Sequence, residues 1–179
     1  IGGHDPLYAP QSKEDSDIFN RFQLNGIKFK QTWGGCVYHM TCRGSRRNTV
    51  DKAKSIYEDS PEWLAQNMRS SRNFIRKWGH FVQHDSLMKP IIPPKYDIGF
   101  ILKNCNPQLL ETLEPWCSTI YTDNNRLNYI NLEQPNTSFD LNERVKPFDN
   151  EKNNEILVEI NSNNFTQQDF QIIQQLSEI

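Results

Sequence analysis

Glu14, Asp15 and Asp17 place three carboxylates within four consecutive positions. An ionised carboxylate beside other acids is the equipment of a general base, able to take the proton from a hydroxyl as that hydroxyl attacks. The same pattern has a plainer use. Acids collect in the first turn of helices because the free backbone N–H groups and the macrodipole favour negative charge there. The three residues alone leave both uses open.

His39 falls where a predicted strand ends, and an imidazole there either packs or ligates a divalent metal. Arg43, Arg46 and Arg47 follow closely. Guanidinium groups grip phosphate oxygens bidentately, so this stretch could clamp a phosphate, with Arg43 the leading candidate, or be a solvated basic loop. Trp33 offers a face on which a sugar could stack, or a side chain to be packed away. His80 and His84 have the i, i+4 spacing of a zinc pair, but Gly79 should break the helix that such a pair needs. Cys36, Cys42, Cys105 and Cys117 show no zinc or C-x-x-C spacing, so reduced, mostly packed thiols are expected. Asn136-Thr137-Ser138 and Asn164-Phe165-Thr166 fit the glycosylation triplet, which matters only in a secreted chain.

The acids need a helix to position them. Residues 14–24 supply one, with Ile18, Phe19 and Phe22 at helical spacing and Asn25-Gly26 as its stop. Two short strands are predicted over 27–31 and 35–40, around a Trp33-Gly34-Gly35 turn. Ser60-Pro61-Glu62 then opens a second helix, with Ser as cap and Pro at the first helical position. It should run to about Trp78 and bury a face of Trp63, Leu64, Met68, Phe74, Ile75 and Trp78, with Arg69, Arg72, Arg76 and Lys77 largely elsewhere. Pro90, Pro93 and Pro94 resist helix and central strand, so residues 89–94 read as a linker. Beyond it, strands are expected at 97–102, 118–122 and 155–160, and helices at 107–116 and 166–177. The Asn- and Asp-rich stretch between 123 and 154 reads mostly as loop.

At this point the sequence resembles a known family. Gly2-Gly3-His4-Asp5 looks like the Gly-Gly-aromatic-Asp turn of inverting family 2 glycosyltransferases of the GT-A type. Glu14-Asp15-Ser16-Asp17 is similar to the helix start that follows that turn, especially in the β-1,4-galactosyltransferases, and Tyr38-His39 and the helix ending at Gly79 continue the likeness over residues 1–79. The resemblance implies an α/β fold: the C-terminal half of a GT-A domain over 1–88, the linker 89–94, and a small α/β domain of unknown role over 95–179. It implies transfer of a sugar from a nucleotide-sugar donor, a UDP-sugar first of all, to a hydroxyl of a glycan or other acceptor, with inversion. Asp15 would be the base and Glu14 would hold or tune it. Asp17 and Trp33 would contact the acceptor, Arg43 and Arg46 the donor phosphates, and His39 would ligate Mn²⁺ or Mg²⁺, which stabilises the departing diphosphate. The family's other metal ligands come from an upstream Asp-x-Asp motif. Ile1 running straight into Gly2-Gly3 reads as the interior of a domain, so the chain alone is expected to be inactive.

A net charge of -2 argues against a dedicated nucleic-acid binder, which normally carries a basic excess. No apolar run approaches the ~18–20 residues that cross a bilayer, and a reducing, cytoplasmic setting is expected. Two rivals remain. A non-catalytic carbohydrate- or protein-binding module could use a GT-A scaffold, and a phosphate-ester hydrolase could use the same acids with His39 around a metal.

Overall fold

The computed structural model describes residues 1–30, 32–38 and 59–178. The chain falls into two units, one of Ile1–Ser71 with His84–Pro90, the other of Arg72–Gln83 with Ile91–Ile179.

In the first unit, α1 spans Glu14–Leu24 and closes on Asn25, whose side-chain amide donates to the Arg21 carbonyl at 2.8 Å. Its buried residues are Asp17 and Asn20, whereas Phe19 is 45% exposed. Phe19, Phe22 and Phe29 form a ring cluster with centroids 5.4–6.4 Å apart. The helix start is therefore tied down by polar side chains, and its apolar ones gather towards the far end. Residues 27–30 and 36–38, expected as strands, run without strand pairing, because no partner strand lies beside them among the described residues. Trp33–Gly35 is a single 3₁₀ turn capped by Thr32, with Gly34 N donating to its Oγ1 at 3.1 Å.

α2 runs over Pro61–Trp78, with Ser60 Oγ accepting from Trp63 N at 3.2 Å, as a Ser-Pro start demands. Gly79 follows with φ 82. The buried stripe of this helix differs from expectation. Leu64 and Met68 are 48% and 62% exposed, while Ser70, Asn73 and Arg76 are buried beside Phe74 and Ile75. Arg76 can be interior only because carboxylates meet it there, and such partners leave no trace in the hydrophobic period.

The second unit is built on a parallel sheet: β1 (Ile98–Lys103), β2 (Thr119–Thr122), β3 (Val145–Pro147) and β4 (Ile156–Asn161), in the order β3-β2-β1-β4. Phe100 sits opposite Ile120 and Val158 in the two registers that flank β1. The helices are α3 (Pro107–Leu113), α4 (Arg126–Glu133), α5 (Leu141–Arg144) and α6 (Gln167–Gln174). They send Leu110, Leu113, Tyr129, Ile130, Leu141 and Ile173 into one core with Phe100, Leu102, Ile120, Val145 and Ile160. On the other face of the sheet, Gly99 leaves room for Asn154, which accepts from Tyr121 OH at 2.9 Å and donates to Asp97 Oδ1 at 2.7 Å. The stretch expected as loop, 123–154, holds α4, α5 and β3. α4 buries only Tyr129 and Ile130, α5 is one turn, and β3 is three residues long, so none carries enough periodicity to show.

A charged cluster pins these helices. Glu114, fully buried, meets Arg76 at 2.6 Å and Arg144 at 2.5 Å and accepts from Tyr129 OH at 2.8 Å. Burial alone would raise the Glu114 carboxyl, but Arg144 and Arg76 outweigh it and hold it down at about 2.

Candidate functional site

The carboxylates expected to do chemistry lie in the first unit, and the local folding that presents them begins with Asp5. Its Oδ1 accepts from Leu7 N at 2.9 Å and caps the 3₁₀ turn Pro6–Tyr8, with Pro6 at the first helical position. Tyr8, at the end of that turn, is buried.

The connection from Tyr8 to α1 is held by the first half of α2. Gln66 Nε2 lies 2.9 Å from the Gln11 carbonyl and 3.3 Å from that of Ala9, Arg69 Nη2 donates to Ala9 O at 2.6 Å, and Ser12 Oγ donates to Asn67 Oδ1 at 2.6 Å. Ser12 and Lys13 are both left-handed, with φ 81 and 72. Two successive non-glycine residues in that region cost on the order of 1–2 kcal/mol each, and strain of this kind concentrates at functional sites. Burial pulls the Lys13 ammonium below its ordinary pKa, against the opposing pull of Glu14.

The result is an open cleft of about 310 Å³ whose lining includes His4, Asp5, Tyr8, Pro10, Glu14 and Asp15. Asp15 is exposed in it. Glu14 is half-buried, and its Oε2 is shielded from solvent with no hydrogen-bond partner among the described residues. The two neighbours are thus differentiated: one carboxylate open to a ligand, the other an unsatisfied hydrogen-bond acceptor behind it.

Asp17, expected at the bound acceptor, is turned inward. Its side chain is fully buried, pairs with Arg21 Nε at 2.8 Å and accepts from Tyr8 OH at 3.4 Å. Trp33 is 92% exposed and is not among the residues lining the cleft. His39, Arg43 and Arg46 lie outside the described residues, so the metal and phosphate positions assigned to them have no geometry here. Among the described residues, no group of three or more His, Cys, Asp or Glu side chains converges as a metal site.

The other candidates have structural surroundings. α2 ends at Trp78, so His80 and His84 do not share a helix. His80 is buried against Phe74 with Nδ1 on the Phe81 carbonyl, and His84 is exposed. The Glu114 carboxylate has its oxygens taken up by Arg76, Arg144 and Tyr129.

Sequence reasoning did not single out His4, Tyr8 or Arg21 as site residues. Asp5-Pro6 carries a readable cap-and-turn signal, but nothing in the linear pattern shows that this turn packs beside the start of α1. Among the described residues, no helix is long and apolar enough to cross a membrane. Comparison of the chain with models of known protein families, with curated proteins and with solved structures gave no match.

Proposed function

We propose that this chain carries the acceptor half of a sugar-transfer site, in which a hydroxyl attacks the anomeric carbon of a nucleotide-sugar, a UDP-sugar first of all, with inversion. The observation that carries the reading is the cleft that gathers Glu14 and Asp15 with His4 and Asp5 of the Gly-Gly-His-Asp segment. Asp15, the exposed carboxylate, takes the acceptor hydroxyl proton as the new C–O bond forms and the bond to the nucleotide diphosphate breaks. A single base suffices, because in-line attack places the acceptor and the leaving group on opposite faces of the sugar. Glu14, whose Oε2 is shielded behind it, holds or tunes that base by keeping a second carboxylate beside it. His39 remains the proposed ligand for Mn²⁺ or Mg²⁺, and Arg43 and Arg46 the proposed phosphate contacts. The free Cys105 and Cys117 thiols fit a reducing compartment such as the cytoplasm.

Replacing Asp15 with Asn in the natural protein tests the assignment. An oxygen-for-amide change preserves shape and removes the base, so transfer to the acceptor should fall by ~10²–10⁴-fold while sugar binding stays near wild type. Undiminished transfer overturns the base assignment. Sugar binding without any transfer in the wild type favours a binding module, which the exposed Trp33 ring would also serve.

A further inference from the structure

The arrangement around Arg21 says how the acceptor cleft is held open, an inference that rests on the sugar-transfer reading of that cleft. Arg21 lies on α1 one turn beyond Asp17, and its Nε pairs with Asp17 Oδ2 at 2.8 Å. The other two guanidinium nitrogens point away from the helix. Nη1 donates to the Ile1 carbonyl at 2.5 Å and Nη2 to the Gly3 carbonyl at 2.7 Å. One planar cation therefore fastens residues 1–3 to α1. His4 and Asp5, the next residues along, line the cleft together with Glu14 and Asp15 of the same helix. On the other Asp17 oxygen, Tyr8 OH donates at 3.4 Å, and Tyr8 also lines the cleft. The Gly2 backbone, at φ 73, makes the turn that lets both flanking carbonyls face the guanidinium.

We infer that Arg21, locked by the buried Asp17, is a positioning residue that fixes the Gly2–Asp5 segment as the wall facing the Glu14 and Asp15 carboxylates. Asp17 then acts on the bound acceptor through Arg21 and Tyr8 rather than by touching it. The function needs a guanidinium. A lysine ammonium can pair with Asp17, but as a compact point charge it cannot also present the flat fork that reaches two carbonyls.

Arg21→Lys in the natural protein separates positioning from bulk stability, because the buried Asp17 keeps a cation. Arg21→Ala and Asp17→Asn accompany it. Carbodiimide labelling of carboxyl groups, read by mass spectrometry, reports the wall directly. Glu14 is half-shielded in the wild type and should label about fivefold faster or more once the wall loosens, a small opening free energy. Glu114 labelling serves as the internal control for global unfolding. The His4 imidazole resonances should shift in the same variants. In transfer to a neutral probe, methyl β-D-glucopyranoside, Arg21→Lys should raise the acceptor KM by about tenfold with kcat nearly unchanged, the signature of lost acceptor positioning.

Unchanged Glu14 labelling and unchanged His4 resonances in Arg21→Lys overturn the clamp, whatever the activity. A fall in kcat at constant KM overturns the positioning role. Undiminished transfer in Asp15→Asn would instead overturn the base assignment, and a wild type that transfers no sugar would remove the sugar-transfer reading; in either case the labelling result still decides whether Arg21 holds the wall.

Discussion

Both Nε and Nη2 of Arg76 donate to the same Glu114 oxygen, Oε2, at 2.9 and 2.6 Å, while Oε1 accepts from Arg144 Nε at 2.5 Å and, more distantly, from Arg76 Nε at 3.3 Å. One carboxylate thus joins α2, the turn after α3 and α5, with none of its charge facing water.

Glu114→Gln should accordingly destabilise the fold by roughly 3–5 kcal/mol, the usual result of leaving a buried ion without its partner. The pH dependence has a defined sign. The carboxyl is held at about 2, below its ordinary value of 4.5, so its contribution is complete above pH 4.5 and is lost as pH falls towards 2. That contribution is about 3 kcal/mol by linkage. Urea unfolding from pH 6 to pH 3 should show a slope in the wild type that Glu114→Gln flattens, and an equal slope in both would remove Glu114 as its source.

His80 gives a second pH effect at a higher range. Its Nδ1 faces the Phe81 carbonyl, its Nε2 is buried without a partner among the described residues, and burial lowers its pKa despite the raising influence of that carbonyl and of Glu178. A base with a depressed folded pKa contributes stability above its unfolded value, about 6.5, and loses it as pH falls through the folded one. Denaturant midpoints at pH 7.5 and 5.5 should therefore differ in the wild type and converge in His80→Phe. A difference that survives the substitution points to another group.

Gly99→Ala should be among the costlier small substitutions in the sheet. A methyl there would collide with Asn154 Oδ1 and stand 2.7 Å from its Cγ and 2.9 Å from Leu157 Cδ2. Overpacking of this kind costs ~1–3 kcal/mol. Thermal melts of Gly99→Ala and of Gly99→Ala with Asn154→Ala settle the cause, since the second change should return part of the loss if Asn154 is the obstacle.

Much of the fold could be read from the chain. The carboxylate-led helix from Glu14, the Ser60-Pro61 start and the strand around Phe100 each combine a boundary signal with a period, and the structure places them within a residue or two of expectation. The failures share a cause. Arg76 is interior because Glu114, far along the sequence, waits for it, and β3 is a strand only because β2 lies beside it. Such elements are specified by distant partners rather than by local pattern. The site divides the same way. That Glu14 and Asp15 share a helix start is legible from their types and spacing, whereas the approach of His4 and Asp5 to them depends on a guanidinium one turn beyond Asp17 that binds carbonyl groups, which carry no sequence signature.

The two margins of the parallel sheet are unlike. β3 is three residues long, pairs among the described residues only with β2, and ends in Pro147, which has no N–H to offer a further neighbour. β4 is six residues long, contains no proline, and among the described residues pairs on one side only, with β1. Among the described residues, Ile156–Asn161 is thus the longer margin and the one free of proline, the better suited of the two to accept a further strand.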